Sequence, residues 1–348
     1  GTDLVDWQFR IAAGEPLPLA QAEIAMTGHA VEARICAEDP RRAFLPDTGR
    51  LVLIEFSPRD VRIESGIEPG TVVGEHYDSL IFKAIAHAPD RAAALDRLQA
   101  WLAETAVLGV RTNMALLDAL AAAAAVRAGE MDTGLVERIA GSMQDGVHDR
   151  RAATARGIAL LIEASRKDCP GHGSPWDATD AFQLGGVRRV PRTVVVDGTL
   201  TAVTLEWRGG EVVVHPADVD GAAFPVAHDL PSVYDPERAC ALVLDRLHQI
   251  EVAWPKPASD LARGGGTGTV APIAGRVARI DVRAGDRIEA GDVVAVVEAM
   301  KMEHVIVAAS AGGVVRVLVE SGAQVSAGTP IVEIEAGAAG VSPGASAP

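Results

Sequence analysis

Residues 273–291 and 310–328 lie over one another at a constant offset and without a gap. Gly275 falls on Gly312, Gly285 on Gly322 and Gly291 on Gly328; Val277, Arg279 and Val282 fall on Val314, Arg316 and Val319. Glycines matched in this way mark turns that need a positive φ, and the valine-rich runs between them read as short strands. A unit that recurs twice predicts two similar half-sheets closing into a small flattened β-barrel with pseudo-twofold symmetry.

The connection between the halves is Val297-Glu298-Ala299-Met300-Lys301-Met302-Glu303-His304. Apolar runs on both sides, Val293 to Val297 and Val305 to Val307, predict two strands joined by a tight turn with Lys301 at its tip. A turn lysine is ordinarily a solvated charge, but this one occupies the single apex between two repeats. The run from Glu298 to Glu303 resembles the biotinylation site of biotin carboxyl carrier domains, and the repeat around it is similar to the biotinyl/lipoyl fold. The resemblance implies that biotin acylates Lys301, with Met300 and Met302 part of what a biotin protein ligase recognises. Lipoyl domains share the fold but usually lack the methionine pair, so biotin is expected.

The chain of 348 residues is long enough for two or three domains. Its formal net charge of −15 and the absence of a basic stripe exclude nucleic acid and anionic membranes as natural partners. The longest apolar stretch, Ala115 to Val126, is too short and too small in side chain to span a bilayer, and no signal peptide opens the chain. Cys36, Cys169 and Cys240 are scattered without metal-ligand spacing, which suits free thiols in a reducing cytoplasm. His172, His215 and His304 are isolated and receive no ligand role. With Gly1-Thr2-Asp3 at its head, the chain reads as a fragment.

Residues 1–140 form the first expected unit, a mixed α/β one. Asp3 to Ala13 reads as a helix stopped by Gly14, and the alternation at Ala30 to Ala37 as a strand. Strand-like runs follow at Gly49 to Glu55, Val61 to Glu64, Thr71 to Val73 and Tyr77 to Ile85. Asp90 to Thr105 has the apolar face of a helix in Leu95, Leu98 and Leu102. Thr112 is the expected cap of a second helix running to about Arg127, with Gly129 beyond it.

This block resembles the C-terminal lobe of biotin carboxylases. The resemblance is carried by Gly28 to Arg34, Ala37 to Pro40, Phe44-Leu45-Pro46, Val61 to Gly66, Tyr77 to Ile81 and Gly109 to Asn113. It implies ATP- and bicarbonate-dependent carboxylation of biotin, and places the family's catalytic arginine on Arg34. A fixed guanidinium stabilises negative charge building on the ureido oxygen and cannot lose its own charge. Asp78 matches an acidic position near that site, where it would hold Arg34 by a charge-assisted hydrogen bond. By spacing alone, Arg34 is equally a strand arginine paired with Glu32 or Glu38. The family's ATP-grasp region, with its nucleotide-binding lysines and Mg²⁺ carboxylates, has no counterpart in this sequence, and no phosphate-cradling glycine loop appears. The chain as given is therefore not expected to turn over ATP; the intact subunit would.

Residues 141–254 form a connector. Arg151 to Arg166 reads as a helix, Cys169 to Pro175 as a loop and Trp176 to Leu184 as a capped turn or short helix. Short strands are expected at Val190 to Asp197, Leu200 to Trp207, Glu211 to His215 and Phe224 to His228, giving a small antiparallel β domain. Residues 235–254 suit a helix or a hairpin, and the hairpin is preferred. Too short for a barrel-shaped carboxyltransferase and too patterned for a tether, this segment resembles the domain that docks the α subunit of acyl-CoA carboxylases onto a separate carboxyltransferase β subunit. Residues 255–268 read as a linker, 269–336 as the carrier domain and 337–348 as a Gly/Ala/Ser/Pro tail expected to be disordered.

The fold class expected is thus α+β and all-β, multidomain. The resemblance implies a hetero-oligomeric acyl-CoA carboxylase in which the carrier delivers the carboxyl group from biotin to the β subunit. A non-enzymatic biotin carrier, a urea carboxylase and a lipoyl carrier are the other readings.

Overall fold

The computed structural model describes residues 2–42, 44–144, 150–168, 187–208, 211–217, 222–225, 227–255, 268–299, 302–308 and 310–336. The expected loop at Cys169 to Pro175, the turn at Trp176 to Leu184, linker residues 256–267 and the tail at 337–348 lie outside them.

Helix α1 (Leu4–Ala12) starts where Asp3 accepts hydrogen bonds from the amides of Val5 and Asp6, and the chain turns at Gly14 with φ 90°. None of its residues is buried, and Leu4, Val5 and Phe9 stand in solvent. The lobe that follows is built on β1 (His29–Cys36). Short strands β2 (Glu38–Asp39) and β3 (Leu45–Pro46) pair with each other. Strand β4 (Gly49–Arg50) pairs with β7 (Val72–Val73), whereas β5 (Leu53–Glu55) pairs with β9 (Ala106–Leu108). The single strand expected at Gly49 to Glu55 is therefore two, because the backbone changes partner at fully buried Leu51. Strands β6 (Arg62–Ser65) and β8 (Leu80–Ala88) complete a three-stranded sheet in the order β1-β8-β6.

Helix α2 (Arg91–Glu104), capped by Asp90 through the amide of Ala93, lays Leu95, Leu98, Trp101 and Leu102 into the core over that sheet. Phe82 meets Trp101 edge-on at 6.2 Å. The second helix begins at Asn113 rather than Thr112 and is two pieces, α3 (Met114–Ala122) and α4 (Ala124–Ala128). Ala123 takes an extended conformation between them, and Gly129 closes the second with a left-handed cap. Helix α5 (Leu135–Gln144) packs on α3.

Helix α6 (Arg151–Asp168) buries Ile158 and Leu161 against a six-stranded antiparallel sheet. Its strands are β10 (Arg188–Val196), β11 (Thr199–Arg208), β12 (Glu211–Pro216), β13 (Ser232–Asp235), β14 (Cys240–Asp245) and β15 (His248–Ala253), in the order β12-β11-β10-β15-β14-β13. The hairpin preferred for 235–254 is present as β14 and β15. The strand expected at Phe224 to His228 is not: residues 222–225 are irregular, and Phe224 gives a single amide bond to Val214 before Pro225 removes the next donor.

This sheet shares a core with the lobe. Ala106 and Leu108 of β9 pack with Cys240, Leu242 and Leu244 of β14. The Gly109 amide donates to Gln249 Oε1 at 2.7 Å, and the Gly109 carbonyl accepts from Arg238 at 3.2 Å.

Among the described residues the C-terminal unit holds eight strands: β16 (Gly268–Val270), β17 (Gly275–Ile280), β18 (Arg287–Ile288), β19 (Val293–Ala299), β20 (Met302–Val307), β21 (Gly312–Val317), β22 (Gln324–Val325) and β23 (Pro330–Ala336). They form two four-stranded antiparallel sheets, β16-β23-β21-β18 and β20-β19-β17-β22, over one apolar cluster. The repeat is legible in the backbone bonds of the turns. Gly285 donates to Val314 and Gly322 to Val277; Gly291 donates to Ala308 and Gly328 to Ala271. The strand irregularity between Val277 and Arg279 recurs between Val314 and Arg316.

Candidate functional site

Strand β1 alternates cleanly from Glu32: Ala33 and Ile35 are buried while Glu32 and Arg34 face outward. Arg34 sits opposite Lys83 of β8, one step before the pairing slips between Ile35 and Cys36. At that slip Asn113 takes over from β8. Its Oδ1 accepts the Cys36 amide at 2.9 Å, its Nδ2 donates to the Arg34 carbonyl at 3.0 Å, and its own amide donates to the Cys36 carbonyl at 3.2 Å. This is why Asn113 does not cap α3 with its side chain. Sequence reasoning included Asn113 in a motif without giving it a task; no local pattern marks a side chain that completes a distant strand.

The two carboxylates that spacing offered Arg34 are engaged elsewhere. Glu32 pairs with Lys83 at 3.2 Å, and Glu38 accepts from the Ser79 hydroxyl. The Asp78 bond to Arg34 expected from the resemblance does not form. Asp78 instead accepts the Leu80 amide at 3.2 Å and the Ser79 hydroxyl at 3.5 Å, which ends the loop and starts β8 later than the Tyr77 expected. Arg34 thus presents a guanidinium with no side-chain hydrogen bond or ion pair among the described residues, while Asn113 holds its backbone carbonyl.

Cys36, half-buried beside these groups, has its thiol pushed up, first by burial and next by the charge of Glu38. Among the described residues no group of His, Cys, Asp and Glu is placed to hold a metal ion, and no helix is long and apolar enough to cross a membrane.

In the C-terminal unit, Glu298 faces Glu303 and Ala299 faces Met302 across the β19–β20 hairpin. Between Ala299 and Met302 the chain has two residues, Met300 and Lys301, and both lie outside the described residues, as does the Met302 side chain. A two-residue connection is the shortest that joins antiparallel strands. His304 faces Val297, and burial alone pushes its imidazole below the ordinary histidine range.

A family model of the biotin carboxylase C-terminal domain matches residues 32–138, and one described as biotin-requiring enzyme, the biotin/lipoyl type, matches residues 267–334. The chain carries a biotin carboxylase C-terminal domain and a biotin/lipoyl domain. Over 345 residues it is 32% identical to the mitochondrial methylcrotonoyl-CoA carboxylase subunit alpha of Mus musculus, a match covering 88% of this chain and 47% of that protein. It is 28% identical over 363 residues to the propionyl-CoA carboxylase alpha chain of Ruegeria pomeroyi, covering 88% and 51%. Among solved structures, the biotin carboxylase domain of a thermophilic 2-oxoglutarate carboxylase, bound to bicarbonate, is similar over 40% of this chain and 31% of that one, at 36% identity and a TM-score of 0.39. The chain spans about half the length of the curated relatives it matches.

Proposed function

We propose that this chain is the C-terminal part of the biotin-bearing α subunit of an acyl-CoA carboxylase. The observation that carries this reading is the pairing of Ala299 with Met302, which leaves Met300-Lys301 as the whole connection of a hairpin in a biotin/lipoyl domain. The primary amine of Lys301 is the group that biotin would acylate, and Met300 and Met302 flank it for a biotin protein ligase. Biotin, when bound there, supplies a ureido nitrogen that can carry a carboxyl group. Arg34 supplies a positive charge that needs no proton balance, on a strand whose backbone Asn113 holds. Asp78, three residues from the Glu75 side chain and beside Ser79, is an acidic neighbour of that site rather than a direct partner of Arg34.

In this reading ATP, Mg²⁺ and bicarbonate are handled by an ATP-grasp region of the intact subunit, outside the sequence described here. Residues 141–254 would dock the subunit on a carboxyltransferase β subunit, and residues 255–268 would give the carrier its reach. The division into a lobe at 1–140, this connector, the linker, a carrier at 269–336 and a tail belongs to the same proposal.

The test is intact mass after co-expression with a biotin ligase, with Lys301→Arg alongside. A gain of one biotinyl group, lost in the variant, is the expected result. A folded chain that gains no mass would overturn the carrier role.

A further inference from the structure

Gly109 to Asn113, the short segment between β9 and α3, is held at its two ends by different parts of the molecule. At the first end the connector takes hold. Gln249 Oε1 accepts the Gly109 amide, and Arg238 donates to the Gly109 carbonyl. At the other end Asn113 is bonded to Arg34 and Cys36 of β1. Between them Val110 is fully buried in the lobe core. The Arg111 amide donates to Asp47 at 2.7 Å, and its guanidinium lies 3.7 Å from both Asp39 of β2 and Asp197 of the β10–β11 turn. Strand β1 is an edge of its sheet. The Ala37 amide bonds Ser79 on the β8 side, so the backbone groups of Arg34 and Cys36 face the open edge, and Asn113 fills it.

On the connector side the grip comes from the tip of the β14–β15 hairpin. Asp245 faces His248, and the two residues between them, Arg246 at φ 47° and Leu247 at φ 65°, are both left-handed. Such a turn follows the twist of the strands, but glycine and asparagine are its usual occupants and a leucine there is strained. The strain places the leucine usefully. Leu247 packs against the lobe's apolar cluster, which includes Ile35 of β1 and Val110. Leu247 and Gln249 also line one small cavity with Asp39, Arg111 and Thr112. Gln249 itself is buried, which strengthens its bond to Gly109 and makes that bond costly to lose.

We propose that Leu247 and Gln249 of the connector are positioning residues for Arg34: they fix the segment from Gly109 to Asn113, and Asn113 carries that constraint to the open edge of β1. The inference deepens the reading above and rests on it for the task of Arg34. A guanidinium that must meet a developing charge needs a backbone that does not drift, because misplacement of a charged group weakens its stabilisation. The strand of Arg34 has β8 on one side only, and its other side is braced by a side chain whose own segment ends in the connector. The connector then has a second task beside docking: loosening its hairpin tip loosens the end of β1, more than 200 residues earlier in the chain.

The test is amide-resolved hydrogen exchange by NMR on the full chain, comparing Leu247→Gly, Gln249→Leu and Gln249→Glu with the parent. Glycine accepts the left-handed turn, so Leu247→Gly keeps the hairpin and removes only the side chain, which guards against a failure of Gln249→Leu to fold. The central strand β8 reports global stability. The Cys36 and Asn113 amides are expected to exchange about tenfold or more faster, relative to β8, in Leu247→Gly and Gln249→Leu. The Arg34 amide resonance should shift with them. Gln249→Glu keeps an acceptor for Gly109 and should restore the parent pattern. Equal acceleration of β8, Cys36 and Asn113 would reduce Leu247 and Gln249 to general stability and overturn the proposal. So would unchanged Cys36 and Asn113 amides, or an Arg34 resonance that stays in place. Biotin mass at Lys301 is scored on the same chains. A chain that gains biotin but shows no selective exchange loses this inference alone; one that shows it but never gains biotin loses the carrier role instead.

Discussion

The amide of Gly109 donates to the side-chain oxygen of Gln249 at 2.7 Å, a buried bond between residues 140 positions apart in sequence. Gly109 has φ 122°, and a Cβ there would stand 2.0 Å from the Arg50 carbonyl, so no other residue can place its amide at this point. The lobe and the six-stranded sheet are joined by a bond that each side must shape its backbone to make. Leu108 and Leu242 continue the junction as a shared core.

Gln249→Leu leaves the Gly109 amide buried without an acceptor, and the desolvation it can no longer recover is about 1–3 kcal/mol. We expect the denaturant midpoint of the lobe-plus-connector transition to fall accordingly in a urea titration. A variant with an unchanged midpoint would mean that water or a neighbouring group replaces the bond.

Gly157 brings α6 close enough to the sheet that an added Cβ would lie 2.5 Å from Val252 Cγ2. Gly157→Ala is therefore expected to destabilise by about 1–3 kcal/mol through overpacking, although alanine is the better helix former. Val252→Ala in the same chain should recover part of that loss. A double-mutant cycle measures the coupling, and additive effects would contradict the close approach.

In the barrel, Gly275 and Gly312 test the pseudo-twofold directly. A Cβ at Gly275 would stand 2.5 Å from the Glu298 carbonyl, and one at Gly312 would stand 2.4 Å from the Glu335 carbonyl. Both alanine variants should melt the C-terminal unit at similarly reduced temperatures. Gly322→Ala meets open space at φ 90° and should cost only the left-handed strain, about 1 kcal/mol. Circular dichroism melts of the three variants check the ranking.

The lowered pKa of His304 carries a pH dependence with a definite sign. The unfolded chain binds the proton near the ordinary value of about 6.5, while the folded imidazole, disfavoured as a cation by burial, binds it only at lower pH. Where the unfolded state holds more protons, stability rises with pH. The barrel should therefore lose stability as pH falls below about 6.5, and His304→Phe should flatten that slope. Melting temperatures between neutral and mildly acidic pH decide it.

Much of this molecule was legible before any coordinates. The alternation of β1, the Gly14 stop after α1 and the leucine face of α2 are all written in windows of a dozen residues. The glycine register of the barrel is longer-ranged, but it repeats, so the chain displays its symmetry without needing to be folded. Lys301 and Arg34 are proposed through motif resemblance, not through any property of their immediate neighbours.

What sequence reasoning missed lies in contacts that leave no local trace. The cap expected at Thr112 moved to Asn113, whose side chain is spent on Arg34 and Cys36, 79 and 77 positions away. Asp78 was expected on Arg34 and holds the Leu80 amide instead, because an Asx-type bond two residues along costs less chain entropy than one across the sheet. The apolar face of α1 was legible, but not that Leu4, Val5 and Phe9 would be uncovered here.

By itself, then, the sequence determined most of the elements, the internal repeat of the C-terminal unit, the hairpin of β19 and β20 and the two domain types. These depend on periodicity, on turn chemistry and on short motifs, all of which act between near neighbours. Only the tertiary structure decided that the lobe and the six-stranded sheet share a core at Leu108 and Leu242, and that Asn113 rather than Asp78 holds the strand of Arg34. Those outcomes turn on which of many distant, chemically similar surfaces fit each other, and fit is a property of folded shapes that no window of the chain contains.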